Sequence, residues 1–408
     1  MFHKSLKKPI AFVVLTAAII SQCACTSQIP EDEGVRALSF GEDWLLNTYC
    51  YIQIPENGKE DLIRQAFSDA RDYENLLSRT IKSSDIGTFN ASQGGCVVDA
   101  DTALLVQDCR EAWELSDHLL DVTMGAVTSL WDFSAEEPQV PDADAIAEGL
   151  THVGRWDELW VEPETGSNRW EILKDDPGMM LDLGAVAKGY IADRTASFLS
   201  QHGIQRAVIN FGGNVVFLGE KADGSLWACG IEDPSEGQSE DLIQERDIVG
   251  TVRTGQGSVV TSGTYERCFE QDGVLYHHVL DPRTGYPVET DILSATIIGP
   301  SSQTCDTLST SCLLLGSGKG LALIDSFGAG RDDAVLIELL EGLHAAVQSH
   351  PYPVQWLRSR RQDLTHPVPA KGRGGGHLPQ PFGGDGDALA VALEELSVAG
   401  GVDLPQEP

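Results

Sequence analysis

The segment DLGAVAKGY at residues 182–190 combines an acid, two glycines and a lysine where a predicted strand meets a predicted helix. Gly184 would let the main chain approach a ligand, and Lys188 falls in the first turn of the helix. These groups could hold a diphosphate, because helix N-termini and ammonium groups attract phosphate oxygens. Asp182 could hydrogen-bond a ribose or a base. An ordinary strand–helix junction with a solvated lysine has the same pattern, and the spacing is not that of a P-loop.

The segment HHVLDPRTGYP at residues 277–287 places histidine just before a rigid turn of proline and glycine. Such a turn would hold His278, Asp281 and Arg283 near one another. A neutral imidazole can accept a proton from an attacking hydroxyl, and a guanidinium group pairs with a carboxylate or a phosphate. The alternative is a structural histidine followed by common Asp-Pro turn chemistry.

The segment DTLST at residues 306–310 supplies hard oxygen ligands. On a helix, Asp306 and Thr310 lie one turn apart on the same face. A carboxylate and a hydroxyl in that arrangement suit Mg²⁺ and do not suit zinc. The alternative is that Asp306 caps the helix that carries the following apolar run. From this segment alone, capping is the expected role.

The segment DVTMGAV at residues 121–127, followed by LWDF at 130–133, is a weaker pattern. Gly125 with its small neighbours would let a flat ring approach the main chain. A tryptophan placed like Trp131 is more typical of a core than of a ligand site.

The elements that must position these groups follow from the spacing of apolar residues. Helices are predicted at residues 61–77, 103–119, 185–201 and 306–315. Strands are predicted at residues 179–183, 207–211, 215–218, 258–261, 276–280 and 294–298. A tight turn at Gly212-Gly213-Asn214 separates the second strand from the third. The alternation predicts an α/β fold with α+β character and a mixed sheet.

The charge of the chain is strongly negative. Its 408 residues include 62 Asp and Glu against 28 Lys and Arg, a formal net charge of −34. Such a surface excludes nucleic acid as a partner, because neutralising phosphates requires clustered Lys and Arg. A phosphorylated ligand must therefore be held by local devices such as helix N-termini or a metal ion.

The N-terminus has the pattern of an export signal. Three lysines precede an apolar run at residues 10–20, and Cys23 and Cys25 follow it. The run is too short for a spanning helix. A cysteine directly after such a run favours lipoprotein processing, with ordinary secretion or an uncleaved anchor as alternatives. We therefore expect an exported protein that is lipid-anchored at the outer face of the cytoplasmic membrane.

The organisation that follows has four parts. Residues 1–25 are the signal, 26–36 a flexible acidic tether, 37–342 the folded domain, and 343–408 a tail rich in Gly and Pro that is expected to be disordered. Without Cys23 and Cys25, seven of the nine cysteines remain, with no C-x-x-C pair. Neither a zinc site nor a dense disulfide framework is indicated.

Five segments occur in an order that resembles the ApbE family of FAD:protein FMN transferases. They are DLGAVAKGYIAD at 182–193, INFGGN at 209–214, TSGTYER at 261–267, HVLDPRTGYPV at 278–288 and DTLST at 306–310. The resemblance covers residues 38–342. It implies a T-fold-like domain with mixed sheets flanked by helices. It also implies Mg²⁺-dependent transfer of FMN from FAD to a Ser or Thr hydroxyl of a target protein, with release of AMP.

The resemblance implies roles for individual residues. The flavin-binding set would be Asn47, Thr80, Gly125, Ala126, Val127, Asp182, Lys188, His278, Asp281 and Arg283. His278 matches the family's H-x-x-D-P motif and would be the general base. Mg²⁺ would be held by the side chains of Asp306 and Thr310 and by the backbone carbonyls of Ala185 and Ser309.

The chain departs from the family pattern in three places. The family's M-G-T is Leu46-Asn47-Thr48 here, and an aromatic residue of the family is replaced by Thr80. Both changes could alter flavin affinity without removing the chemistry. The tail beyond Gly342 matches nothing in the family.

The expected partner is an exported flavoprotein with the acceptor motif D-x-x-[ST]-G-A-[ST]-T. Three alternatives stay open. The chain could hydrolyse FAD to FMN and AMP as a Mg²⁺-dependent pyrophosphatase, or it could bind flavin without catalysis. It could also be flavinylated itself, but its nearest segment, DILSAT at 291–296, lacks the glycine of the acceptor motif.

Overall fold

The computed structural model describes residues 38–167, 169–234 and 248–328, together with the main chain of three later strands. The contacts of the chain group it into one unit that ends at Ser359 and a second unit, Arg360–Pro408. The predicted signal at 1–25, the tether at 26–36 and the second unit lie outside the described residues.

An eight-stranded antiparallel sheet forms the centre of the first unit. Its strands are β1 (Ser39–Leu45), β2 (Thr48–Ile54), β6 (Ala207–Phe211), β7 (Asn214–Leu218), β10 (Gly257–Gly263), β13 (Ile292–Gly299), β14 (Val335–Leu340) and β15 (Ala345–Val347). They lie side by side in this same order, and each neighbouring pair is antiparallel.

Three smaller sheets surround the large one. The first contains β3 (Gly95–Val98), β4 (Leu159–Pro163) and β5 (Trp170–Lys174), with β5 in the middle. The second contains β8 (Trp227–Glu232), β9 (Ile248–Thr254) and β16 (Gln355–Arg358), with β9 in the middle. The third is the hairpin of β11 (Cys268–Gln271) and β12 (Val274–His277).

The helices complete the fold. They are α1 (Glu60–Leu77), α2 (Asp85–Ala91), α3 (Ala100–Leu115), α4 (Gly125–Thr128), α5 (Ala143–Leu150), α6 (Ala187–Gln201) and α7 (Ser302–Gly328). Successive strand residues point to opposite faces, so the large sheet has two cores. On β6, Ile209 packs in the core that includes α1, α6 and α7, whereas Val208 packs in a second core against β8 and β9.

Helix α7 is long and apolar enough to cross a membrane by length and composition alone, with a mean hydropathy of 1.3 over its most apolar window. It contacts α6, β10 and β13, and half of that window is buried inside the protein. It is therefore a core helix. Gly316, at φ 74° and ψ 173°, interrupts it, and Asp291 accepts a hydrogen bond from Ser317 N (2.9 Å) where the second segment begins.

Helices α6 and α7 are joined at the start of α7. The carboxylate of Asp193, on α6, accepts hydrogen bonds from Ser302 N (2.8 Å), Gln303 N (3.0 Å) and Ser301 Oγ (2.8 Å). These are groups that a helix leaves without intrahelical partners in its first turn. Asp193 therefore caps α7 from the neighbouring helix and fixes the two helices relative to each other.

The α/β class is confirmed, but the predicted mixed sheet is wrong for the described strands, because all their pairings are antiparallel. Residues 207–211 form a strand as predicted, and the strand predicted at 258–261 is extended to Gly257–Gly263. The helix predicted at 103–119 begins at Ala100 and ends at Leu115, because Asp117 and His118 adopt positive φ.

The strand predicted at residues 179–183 is wrong. Only one isolated parallel bridge forms there, between Met124 and Met180. The main chain of Leu181 instead exchanges two hydrogen bonds with the side-chain amide of Asn90, at 2.7 and 2.9 Å. An amide side chain thus takes the place of a neighbouring strand.

Two further boundaries differ from the prediction. The strand predicted at 276–280 ends at His277, and Leu280 makes a single bridge to Pro287. Beyond Gly342, β15 pairs with β14 and β16 pairs with β9, so regular structure extends into the segment predicted to be disordered.

Candidate active site

The start of α6 meets the second turn of α7 at a buried carboxylate. Asp306, 1% exposed, accepts a hydrogen bond from Gly189 N at 2.9 Å, and its other oxygen lies 3.4 Å from Lys188 Nζ. Lys188 also donates to Asn214 Oδ1 at 3.0 Å. The predicted alternative that Asp306 caps α7 is wrong, because α7 begins at Ser302 and Asp193 supplies the cap.

Gly189 allows this contact. A Cβ at this position would lie 2.5 Å from Ser302 O, 2.7 Å from Gln303 Cα and 2.8 Å from Asp306 Cβ. Because two of these three atoms belong to the backbone, a side chain here would force α6 and α7 apart. The glycine therefore sets the distance between Lys188 and Asp306.

A chain of three hydroxyl groups begins at the backbone carbonyl of Asp306. Ser309 Oγ donates to the carbonyl of Asp306 at 3.0 Å, and Ser262 Oγ lies 2.7 Å from Ser309 Oγ and 3.3 Å from Thr310 Oγ1. Each hydroxyl has one hydrogen, so Ser262 donates to Ser309 and Thr310 donates to Ser262. The lone pairs of Thr310 Oγ1 are then available to a cation.

The donor set fits a hard cation. Asp306 and Thr310 supply oxygen atoms, and Ala185 lies in the turn immediately before α6, three residues from Lys188. Within the described part of the chain, no group of three His, Cys, Asp or Glu residues could hold a metal. One carboxylate with hydroxyl and carbonyl oxygens is typical of Mg²⁺ that is shared with substrate phosphates.

Asp182 belongs to a second cluster. Its Oδ2 accepts from Arg79 Nε and from Thr128 Oγ1, both at 2.7 Å, and its Oδ1 accepts from Gly184 N at 3.0 Å. The carboxylate is thus held by a cation, a hydroxyl and the turn before α6. Sequence reasoning did not find Arg79 or Thr128, because 103 and 54 residues separate them from Asp182.

The glycine at residue 125 has a different function from the one expected. Gly125 N donates to Met180 O at 2.9 Å, and a Cβ would lie 2.6 Å from the carbonyl carbon of Met180. The close approach is therefore that of the protein's own main chain, which holds the segment leading to Asp182. Val127 is fully buried in a small core, and only Ala126 of the trio is partly accessible.

His278 lies directly after β12. Its backbone N–H donates to Arg267 O at 3.0 Å, and its buried Nδ1 has no hydrogen-bond partner among the described residues. Burial, reinforced by the positive charges of Arg267, His277 and Lys188, lowers the pKa of His278 to about 3. The imidazole is therefore neutral at physiological pH and can accept a proton.

The β1–β2 turn reaches the same region. Arg267 Nη2 donates to Asn47 O at 3.3 Å. Leu46 and Asn47 have φ of 55° and 56°, as a two-residue hairpin of this type requires. Asn tolerates this conformation better than most residues, so Asn47 suits this turn. Thr80 is exposed beside Arg79, and its hydroxyl lies 2.9 Å from Ser78 Oγ.

Asp281 and Arg283 pair with each other. Arg283 Nη2 donates to Asp281 Oδ2 at 2.6 Å, and Arg283 Nε donates to Oδ1 at 2.9 Å. Burial raises the pKa of Asp281, but the hydrogen bonds from Arg283 outweigh it, so the net pKa is lowered. The predicted turn is therefore present, and the ion pair between Asp281 and Arg283 closes it. The guanidinium remains mostly exposed, and the flavin-binding roles of both residues stay predictions.

Glu266 is a titratable group that sequence reasoning did not assign to the site. Burial raises its pKa to about 7, with Asp306 and Glu232 adding to the shift and with Lys188 and Arg267 opposing it. Its side chain is nevertheless accessible to solvent. The sequence signal that could have identified Glu266 is its position in the segment TSGTYER at residues 261–267.

We expect Gly189→Ala to lower the free energy of unfolding by about 2 kcal/mol, because overpacking against backbone typically costs 1–3 kcal/mol. Gly318→Ala, on α7, is the matched control, since a Cβ there meets nothing within 4 Å. Alanine should be neutral or stabilising at that helical position. Urea unfolding of both variants checks this. Equal stability of the two variants would contradict the close contact of α6 and α7.

Known proteins resemble this chain over most of its length. The model of the ApbE family matches residues 46–333. The FAD:protein FMN transferase of Treponema pallidum (strain Nichols) is 34% identical over 299 residues, which is 69% of this chain and 80% of that protein. The one of Klebsiella pneumoniae (strain 342) is 34% identical over 290 residues, 71% of this chain and 84% of that protein.

The fold matches as well. The crystal structure of the ApbE protein from Thermotoga maritima covers 77% of this chain and 97% of its own, with a TM-score of 0.64 and 29% identity. The flavin transferase ApbE from Vibrio cholerae, at 24% identity and a TM-score of 0.62, shares the same fold. The resemblance inferred from five short segments is thereby confirmed: the chain belongs to the ApbE family.

Proposed function

We propose that this chain transfers FMN from FAD to a Ser or Thr hydroxyl of a target flavoprotein, with Mg²⁺ as cofactor and AMP as leaving group. The observation that carries the proposal is the meeting of Lys188, Gly189 N and Asp306 between α6 and α7. Family membership and the relatives' names support flavin transfer. The hydroxyl and the leaving group are proposed from the resemblance to the family, and the cation also from the oxygen ligands of Asp306 and Thr310.

A diphosphate would be held by Lys188 and by the start of α6. Lys188 Nζ now contacts Asn214 Oδ1 at 3.0 Å and Asp306 Oδ1 at only 3.4 Å, so an anion can compete for it. The fully buried Asn214 Nδ2 has no partner among the described residues and can donate to a phosphate oxygen. This local set of donors would hold phosphates despite the net charge of −34.

Mg²⁺ would be held by Asp306 and Thr310 with the carbonyls of Ala185 and Ser309. When bound, it would polarise the diphosphate and neutralise charge on the leaving AMP. As a phosphate draws Lys188 away, one oxygen of Asp306 becomes free, while Gly189 N continues to hold the other. The protein's own groups thus reorganise little on binding.

His278 would take the proton of the attacking hydroxyl. Its Nδ1 has no partner in the described part of the chain and can accept that proton. A group whose pKa is about 3 holds a proton weakly. The negative charge of a bound diphosphate must therefore raise the pKa of His278 before transfer can occur. The binding of FAD would thus activate the base.

The test is a reaction of the full-length chain with FAD, Mg²⁺ and a domain that carries the D-x-x-[ST]-G-A-[ST]-T motif. We expect mass spectrometry to show one FMN on the domain and an equal amount of AMP in solution. Free FMN with an unmodified domain would instead show hydrolysis, and an absence of AMP would show binding only.

The role of His278 is tested with the variant His278→Ala. Arg283→Ala, in the neighbouring turn, is measured for comparison. We expect His278→Ala to keep its affinity for FAD and to lose transfer by about a hundredfold or more, the range of general-base contributions. Unimpaired transfer in this variant would remove His278 as the base while leaving the transferase activity established.

We expect FAD affinity, measured without metal, to fall as pH rises from 6 to 8. Glu266, with a pKa of about 7, gains negative charge over this range beside Lys188 and Asp306. That charge repels the diphosphate, by roughly fivefold in affinity for charges several ångströms apart in a partly aqueous cleft. Isothermal titration on Glu266→Gln should show little of this dependence. A slope equal to that of the unchanged chain would exclude Glu266 as its source.

We also propose that the chain is exported and lipid-anchored at the outer face of the cytoplasmic membrane. The support is the N-terminal pattern of lysines, a short apolar run, and Cys23 and Cys25. Replacing both cysteines by serine should move the protein from the membrane fraction to the soluble fraction. Retention of the double variant in the membrane fraction would contradict lipidation.

A further inference from the structure

One face of the β1–β2 hairpin is aromatic, with three exposed rings and a fourth, Tyr51, half-buried against the core of β8 and β9. Antiparallel pairing places Trp44 opposite Tyr49 and Glu42 opposite Tyr51 on one side of the two strands. Phe40 lies on the same side, 6.0 Å from Tyr51 between ring centroids. Trp44 is 57% exposed, Tyr49 45% and Phe40 43%. We call Phe40, Trp44, Tyr49 and Tyr51 the aromatic face.

The opposite side of the same hairpin is an ordinary core. Leu45, Cys50 and Ile52 are buried against the helices. A Cβ on Gly41 would lie 2.5 Å from Ile63 Cγ2, so α1 packs directly on β1. The hairpin is therefore fixed in position, and its aromatic face is held rigidly. A rigid set of exposed aromatic rings can contact a partner with little loss of conformational entropy.

The turn at the end of the aromatic face contacts the region of the active site, whereas α6 and α7 pack on the other side of the sheet, with Leu45 and Ile52. Trp44 and Tyr49 flank the turn Leu46–Asn47, and Asn47 O accepts from Arg267, whose carbonyl accepts from His278 N. Thr48 lies against the turn before β7, since a Cβ on Gly212 would be 2.4 Å from Thr48 Cγ2. Asn214, the partner of Lys188, follows in that turn. A protein whose hydroxyl reaches His278 would pass close to these aromatic rings.

We propose that the aromatic face docks the acceptor protein, through apolar, uncharged or basic surface beside the hydroxyl that receives FMN. This inference rests on the proposed transfer reaction and adds to it the surface that recognises the partner. The net charge of −34 opposes both a second copy of the chain and an anionic lipid surface at this position. A partner that is neutral or basic is favoured.

The size of the face fits a transient partner. Seven-residue strands at ~3.4 Å per residue, two strands wide, give a face of roughly 24 by 10 Å, or about 240 Å². A stable protein–protein interface buries about 800 Å² on each partner. The face alone therefore cannot hold a permanent dimer. It can orient an acceptor that makes its remaining contacts at the site and must leave after modification.

The test compares two acceptors, a folded domain with the acceptor motif and a short synthetic peptide containing only the motif. The variants are Trp44→Ser and, farther from the turn, Phe40→Ser. We expect KM for the domain to rise about tenfold, as for truncated aromatic hot spots. We expect kcat, FAD affinity and the rate with the peptide to stay unchanged. Trp160→Ser, on β4, is the control, since Trp160 is also exposed but lies in a different sheet.

Several results would overturn the proposal. An unchanged KM for the domain excludes docking at the aromatic face, and an equal rise for domain and peptide shows an effect on the flavin site. A dimer in sedimentation velocity that Trp44→Ser dissociates would assign the face to a second copy. Loss of binding to phosphatidylcholine vesicles with unchanged KM would assign it to lipid. If the wild-type chain labels neither acceptor, the proposed transfer reaction itself is wrong. This outcome differs from labelling with an unchanged KM, which excludes only docking at the aromatic face.

Discussion

The buried carboxylate of Asp306 is the constraint on which the site depends. Removing a carboxylate from water costs several kcal/mol unless hydrogen bonds and an opposite charge offset the loss. Gly189 N and Lys188 provide both, and they do so only because glycine lets α6 approach α7. The relation is reciprocal, since Asp193 of α6 accepts from the first amides of α7. Each helix thus supplies an acid to the start of the other.

Two further clusters, around Asp182 and around His278, are held by contacts from other parts of the chain. Asp182 is held by Arg79 and Thr128, and the segment that leads to it is clamped by Asn90 and Gly125. His278 is tied to Arg267, and Arg267 to the β1–β2 turn. The described residues thus supply a lysine and a backbone amide beside a buried carboxylate, a second carboxylate paired with a guanidinium, and an imidazole nitrogen without a hydrogen-bond partner among those residues. These are the parts that transfer of a flavin phosphate to a hydroxyl requires.

Local features of the site could be predicted from the sequence, whereas its long-range contacts could not. The helix after Asp182 and the strand at 207–211 follow from spacing and turn residues within a short window. The salt bridge of Arg79 with Asp182 joins residues 103 positions apart and has no local signal. Asp306 illustrates the limit most clearly. Its position near a helix start predicts that Asp306 caps α7. In the folded chain, Asp193 of α6 caps α7 instead.

Glycine motifs show the same limit. The space that Gly125 leaves could be assigned to a ligand from the sequence, yet the main chain of Met180 occupies it. At Asn47, in the β1–β2 turn, a positive φ occurs without glycine, at a residue type that tolerates this conformation. The exposed rings beside that turn are visible only after strand pairing places them on one side of the hairpin.

In the proposed mechanism, Asp306 holds Mg²⁺ beside a diphosphate that is bound by Lys188. The most direct measurement is isothermal titration of FAD with and without Mg²⁺, on the unchanged chain and on Asp306→Asn. We expect Mg²⁺ to tighten FAD binding by about tenfold in the unchanged chain, a typical coupling between sites. Asp306→Asn should bind FAD without metal and show no tightening. Full coupling in Asp306→Asn would contradict the account, because the metal would then be held elsewhere.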